Sequence, residues 1–328
     1  MNGEEKSLVN QVRGKRVLFI TTKNIDYIRN TQEVRLLEEN AKSVEVLHSA
    51  KKKYVGRIIE LWIRLFFLSM REIDIIFIGF APQLILPFFK WKMRNKTIII
   101  DFFISIYDTM IHDRKKFKDK GIIANICYHI DYFTLKWTDH VIADTKAHAR
   151  YFMEEFKIDK SKFETLYLEA DKTIYYPREQ HKKEELKDKF VVLYFGSILP
   201  LQGVNVILDT VKILKDEKDI LFQIIGPISS KYSKPIQDNV EYIDWLSQEA
   251  LAEHIANSDL CLAGHFSKDI DKAKRTIPGK AYIYAAMGKE IVLGDNEANK
   301  ELNIEKSCYV KMGDSHELAN LIRSKSKK

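Results

Sequence analysis

Short apolar runs alternate with segments of helical periodicity along most of the chain. RVLFITT (16–22), SVEVLH (43–48), DIIFIGF (74–80), TIIIDFF (97–103), HVIADT (139–144) and FETLYL (163–168) read as strands. Between them a helix running through Val34 and Leu37, then 54–70, 82–94, a stretch up to Trp137 and 147–156 read as helices. Pro82 stands at or near the start of the third of these, where a helix tolerates proline. Asp144 and Thr145 stand where the last of them needs its N-cap. The alternation pauses over 171–189, where Pro177 and the charge run HKKEELKDK predict a linker with at most a short exposed helix. It restarts with strands at 190–195, 220–225, 239–243, 259–263, 290–294 and 307–311, and with helices at 203–216, 247–257, 278–287 and 314–324. Strands alternating with helices predict parallel sheets covered on both faces. The expected fold is α/β: a Rossmann-like domain over 1–170, a linker over 171–189 and a second Rossmann-like domain over 190–328. Two such domains facing each other would bind ligands at the C-terminal ends of their strands.

Composition adds bounds. A chain of 328 residues suits two domains with a core each, and 45% hydrophobic with 30% charged residues is an ordinary globular balance. The three cysteines, Cys127, Cys261 and Cys308, are widely spaced, and neither CxxC nor HExxH occurs. This argues against a disulfide framework or a Cys/His zinc site and for a reducing, cytoplasmic setting. The first 15 residues are polar and charged, unlike a signal peptide. No apolar run reaches the roughly 18 residues of a membrane span. The nearest, 73–89, is interrupted by Asp74, Pro82 and Pro87. A net charge of +7 suits an anionic partner without naming one. Nucleic-acid binding would rest on that charge alone and is not expected.

The most informative stretch is 190–214, FVVLYFGSILPLQGVNVILDTVKIL. Its apolar run ends at Gly196, a loop carries Pro200 and Gly203, and Val206, Ile207, Val211 and Leu214 follow at helical spacing. A helix opening just after a strand offers free N–H groups and a positive dipole end to an anion. Glycines let that anion approach the backbone. A second loop follows the strand at 259–263, where Lys272, Lys274, Arg275 and Lys280 crowd around Pro278 and Gly279. It suits a diphosphate; it reads equally as a solvated basic loop.

The second half resembles the nucleotide-sugar domain of glycosyltransferase family 4, which has the GT-B fold. The matching elements are FGSILPLQGVNVIL, NSDLCLAGHF, IPGKAYIYAAMGKEIVLGD and NEANKEL, in that order. The first half resembles bacterial, surface-polysaccharide members in DFFISIYDTMIHDR (101–114), DHVIADTKAHARYF (139–152) and, at the domain junction, EADKTIYYP (169–177). The resemblance implies a sugar moved from a nucleotide diphosphate sugar to a glycan or polyprenyl-linked acceptor. It also implies retained configuration, no metal and no cofactor beyond the donor. Three departures stand out. The family's Arg and Lys at the first loop are Ser197 and Gln202 here. Its two glutamates fall on Arg275 and Ile283, and an isoleucine accepts no hydrogen bond from a ribose. The family also continues past the last helix, whereas this chain ends at Lys328.

The expected donor site is therefore Gly196, Ser197, Gln202 and Gly203 with Arg275 and Lys280 supplying charge. Glu301 is the candidate acid for the nucleotide, or else a first-turn helix acid that complements the dipole. In the first half Asp108, His112 and Arg114 are the catalytic candidates, and Arg29, Asn30, Asp101 and Ser105 the acceptor-side ones. Each also reads as a cap or a local salt bridge. Asp269 and Asp271 spell DxD, but flanking lysines oppose a metal there. His129, His140, His148 and His254 lack partners at ligand spacing and read as structural or surface residues. Residues 51–71 combine lysines and arginines with a wide apolar stripe. They read as a core helix or as a peripheral contact with an anionic membrane on the cytoplasmic side.

The leading expectation is a glycosyltransferase of surface-polysaccharide or glycolipid synthesis. The alternative is a degenerate, non-catalytic subunit that binds an active glycosyltransferase partner. An epimerase on the same plan would need an acid–base pair the sequence does not offer.

Overall fold

The computed structural model describes residues 7–327 other than 198, 230 and 231. It divides into two units, Met1–Glu169 and Ala170–Lys328.

The first unit is built on six parallel strands: β1 (Arg16–Ile20), β2 (Ser43–Leu47), β3 (Ile75–Ile78), β4 (Thr97–Asp101), β5 (His140–Ala143) and β6 (Phe163–Thr165). Their order is β2-β1-β3-β4-β5-β6. Its helices are α1 (Leu8–Val12), α2 (Ile28–Asn40), α3 (Tyr54–Phe67), α4 (Leu86–Phe89), α5 (Ile122–Lys136) and α6 (Lys146–Phe156). Alternate strand residues face opposite ways. Leu18, Ile76 and Ile98 therefore pack with Leu61, Leu65, Leu135 and Phe152 of α3, α5 and α6. Val17, Phe19, Ile75 and Phe77 meet Leu8, Val12 and Leu37 of α1 and α2. Both faces are covered, as the near-continuous apolar strands require. Thr145 caps α6 by accepting from the His148 N–H at 3.0 Å.

The helix expected over 82–94 is broken. Ala81 has φ +53, Pro82–Leu84 form a 3-10 turn, and α4 covers only four residues. Pro87 gives the reason: it lacks an N–H and clashes with a preceding turn, so a helix can hold it only near its start. The chain restarts the helix at Leu86 to accommodate it.

The second unit has strands β7 (Phe190–Phe195), β8 (Ile220–Ile225), β9 (Val240–Ile243), β10 (Leu260–Gly264), β11 (Ile291–Gly294) and β12 (Ser307–Val310). They are parallel, in the order β12-β11-β10-β7-β8-β9. Its helices are α7 (Val204–Ile213), α8 (Gln248–Ala256), α9 (Lys272–Arg275), α10 (Gly279–Ala286), α11 (Glu297–Lys300) and α12 (Ser315–Ser326). The direction of strand progression reverses between β7 and β10. A sheet of this kind opens a crevice at such a point, because the loops leaving the two strands turn to opposite faces.

The segment 171–189 lies against this second unit. Gln180 Nε2 donates to the Ser258 carbonyl at 2.9 Å, the His181 N–H to Asn257 Oδ1 at 2.7 Å, and Lys182 Nζ to Asp259 at 2.5 Å. Its charges are thus partly used in local pairs, where a charge run alone reads as a free linker.

Candidate functional site

The loops after β7 and β10 meet at the reversal point of the second unit. β7 ends at Phe195, and Gly196 follows at φ +126, a conformation only glycine adopts freely. The 3-10 turn Pro200–Gln202 leads to Gly203 at φ +67, which opens α7. A Cβ at Gly203 would lie 2.5 Å from the Ser267 nitrogen and 2.6 Å from the Phe266 carbonyl carbon. The two loops approach there closely enough to leave no room for a side chain at 203. Gly203→Ala is expected to force them apart, lowering the melting temperature and weakening nucleotide binding together; thermal denaturation with and without nucleotide sugar checks this.

Gln202 ties the arrangement together. Its carbonyl accepts the Phe266 N–H at 3.2 Å, and its side-chain Oε1 accepts Lys280 Nζ at 2.8 Å. Gly264 leaves room for this: a Cβ there would come within 2.2 Å of Gln202 Oε1. Lys280, in the first turn of α10, is 7% exposed. Its Nζ lies 4.9 Å from the Tyr194 ring centre and 3.4 Å from the point where a Cβ at Gly196 would stand. Burial pulls the ammonium down to about 7. A basic group that changes charge near neutrality thus sits directly beneath the glycine of the first loop.

The rest of the basic cluster divides. Lys274 is in solvent and pairs with Asp271 at 2.7 Å, while Lys272 and Arg275 are half-buried on α9. The Asp271 of the DxD tripeptide is thus engaged by a lysine. Among the described residues no group of three or more His, Cys, Asp or Glu is arranged to hold a metal ion. Ser197 is exposed. Glu301 is the C-cap of α11, so the first-turn reading of this acid does not hold; Glu297 occupies the first turn instead. Sequence reasoning missed His265, which takes φ +57 straight after β10 and bonds the Thr276 carbonyl through Nδ1 at 2.7 Å.

In the first unit most of the acceptor-side candidates are turned inward. Arg29 donates to both Asp101 oxygens, at 2.9 and 3.0 Å, and lies 3.4 Å from Glu33. All three side chains are buried, and burial together with the Asp101 charge holds the Glu33 carboxyl well above its ordinary range. Asn30 donates to the Asn24 carbonyl at 2.6 Å and accepts from Thr21 at 3.2 Å. These residues fasten the segment after β1 to the end of β4. The side chains expected to meet an acceptor, Arg29, Asn30 and Asp101, are almost wholly buried.

Ser105 is likewise buried and donates to Asp131 of α5 at 2.6 Å. Asp131 also accepts the N–H groups of Ile106 and Tyr107, at 3.2 and 2.8 Å, and Gln83 Nε2 at 2.9 Å. It is pushed up to about 6 by burial, against the pull of these bonds. It anchors a π-helical turn, Asp108–Asp113, whose Asp108 is buried while His112 and Arg114 are exposed. His112 rests edge-on against Tyr107, ring centres 5.1 Å apart. Asp131 carried no sequence signal, since a carboxylate in the middle of an amphipathic helix looks like its solvated face. The four histidines read as structural or surface residues all have partners: His129 bonds the Asn125 carbonyl, His140 bonds Glu164, His148 bonds Asp144 and His254 bonds Gln223.

No protein-family model matches the chain. Across 94% of its length it superposes on sucrose-phosphate synthase from Thermosynechococcus elongatus, covering 89% of that chain at TM-score 0.67 and 11% identity. Anabaena HepE, solved with UDP and glucose, matches at TM-score 0.61 and 14% identity over the same shares of the two chains. The chain has the GT-B fold, two Rossmann-like α/β units with parallel sheets. At such identities the likeness carries the fold and nothing more.

By sequence it is 24% identical to an uncharacterized 41.2 kDa protein of the Klebsiella pneumoniae cps region, over 60% of this chain and 54% of that one. It is 26% identical to chitobiosyldiphosphodolichol beta-mannosyltransferase of Kluyveromyces lactis, over 61% and 52%. The chain spans about half the length of the curated relatives it matches.

Proposed function

We propose that this protein transfers a sugar from a nucleotide diphosphate sugar to a glycan or lipid-linked acceptor, as a family 4 glycosyltransferase of surface-polysaccharide synthesis. The observation that carries the reading is Lys280, buried beneath Gly196 at the reversal point of the second sheet and held by Gln202. A diphosphate leaving group gathers negative charge as its bond to the sugar breaks, so positive charge set in advance lowers the barrier. Lys280 supplies that charge from below the loop, in place of the Arg and Lys absent at Ser197 and Gln202, with Arg275 as the second cation. The α7 N-terminus adds its dipole. No metal and no further cofactor are invoked, and configuration at the sugar is retained. The mannosyltransferase and cps-region relatives, and a fold shared with a UDP-bound protein, support this reading.

A thermal-shift screen with UDP-, GDP-, CMP- and TDP-sugars tests it. Stabilisation by one nucleotide class is expected, since a ligand bound only to the folded state raises its melting temperature. A second reading, a non-catalytic subunit with a glycosyltransferase partner, is favoured by Ile283, which offers no acceptor to a ribose. It predicts no shift with any donor, alone or beside a co-expressed partner.

A further inference from the structure

The first unit carries an apolar surface that the donor-site reading leaves unused. On α3, Leu61 and Leu65 face the core, while Val55, Ile59, Ile63, Phe66 and Phe67 are exposed, Phe67 by 80%. An ordinary covering helix presents one apolar stripe to the sheet and a polar one to water; this helix presents a second apolar stripe outward. The stripe does not end with α3. Trp62 packs tilted against Phe88 with ring centres 4.4 Å apart, and Phe66 meets Trp91 at 6.4 Å. Beyond Pro87 a groove of about 380 Å³ runs to α5 between Ile126, Ile130, Phe133 and Trp137. On α5, Ile122 is 82% exposed.

The charge along this stretch is predominantly positive. Residues 51–96, which contain α3 and α4, hold ten Lys or Arg against three Asp or Glu. Lys51 and Arg64 are near Glu60, and Lys92 lies over the Phe66 ring at 5.9 Å. Lys90 Nζ bonds the Trp137 carbonyl at 2.9 Å, placing basic chain at the groove itself. Among the described residues no helix is long and apolar enough to cross a membrane.

We infer that α3, the 86–91 turn and α5 form one face that seats this unit on an anionic lipid bilayer, with the α4–α5 groove holding a single lipid hydrocarbon chain. Exposed aromatic and aliphatic side chains enter the headgroup boundary, and the flanking lysines and arginines meet lipid phosphates. A second copy of the chain would repeat this positive charge across the contact and repel it, whereas an anionic membrane is complementary. The inference goes beyond a helix at 51–71 and does not depend on the donor site.

Vesicle flotation of the full chain tests it, with phosphatidylcholine vesicles alone and with about one third phosphatidylglycerol. Binding to the anionic vesicles is expected, falling at least tenfold on neutral vesicles. Phe67→Glu and, independently, Ile126→Glu are expected to reduce it at least tenfold. Ile236→Glu, at a still more exposed residue of the second unit, leaves it unchanged. All three positions are on the surface, and circular dichroism verifies that the variants fold. No flotation of the wild type overturns the inference. So does loss confined to Phe67→Glu, which reduces the face to α3. A dimer in light scattering that Phe67→Glu abolishes, without flotation, also overturns it by making the surface a self-contact. Nucleotide binding by the same samples reads the donor site separately, so the two can fail independently.

Discussion

Lys280→Met is expected to weaken nucleotide-sugar binding at least tenfold while keeping or raising the melting temperature of the free protein. A hydrogen bond to a charged group is worth about 1.5–3 kcal/mol, or roughly ten- to a hundredfold in affinity. Methionine fills nearly the same volume with no amine, so the core around Tyr194 stays packed while the cation is lost. The free protein gains because an ammonium buried at 7% exposure, beside a neutral amide and an aromatic ring, is costly to desolvate. The usual trade between stability and binding is concentrated on one side chain.

The same group sets a pH dependence. In the free protein Lys280 loses its proton near 7, below its unfolded value of 10.5. Between those limits the unfolded chain binds more protons, so the stability of the free fold rises with pH through that window. A diphosphate beside the amine favours the charged form, raising its pKa in the complex. Binding above pH 7 therefore takes up a proton, and affinity falls with pH until the complex itself deprotonates. Calorimetric titration in two buffers of different ionisation enthalpy measures the uptake, and Lys280→Met should abolish it.

Arg29→Met is expected to destabilise the first unit by about 3–5 kcal/mol, since removing one partner of a buried ion pair leaves the other uncompensated. Here two carboxyls are left, Asp101 and Glu33, both fully enclosed. Chemical denaturation followed by circular dichroism measures the loss. Nucleotide binding, proposed for the second unit, should survive where the variant is folded. An Arg29 that instead served the acceptor would change turnover with little cost in stability.

These two residues illustrate what the sequence could reveal. β7 and β8 run over the residues expected, because every position but Gln223 is apolar and every position but Phe190 is buried. Pattern is local, and these strands are local. The contacts that decide the sites are not: Lys280 reaches Gln202 across 78 positions, and Arg29 reaches Asp101 across 72. From sequence, Arg29 after a strand and Asp101 at a strand end look alike as an open site or as an internal pair, and burial decides for the pair. The basic run 272–280 hid a similar division, with Lys274 in water and Lys280 inside. Pro87 was visible, but Pro82 five residues earlier looked like the start of one helix, and the chain makes two short turns instead.

Calorimetric titration of the nucleotide sugar that stabilises the wild type, repeated on Lys280→Met, decides whether Lys280 holds the diphosphate. One nucleotide class is expected to bind the wild type, with affinity at least tenfold lower in a variant that melts no earlier. Equal affinity within about twofold, which is well under the 1.5–3 kcal/mol of a charged hydrogen bond, would contradict it.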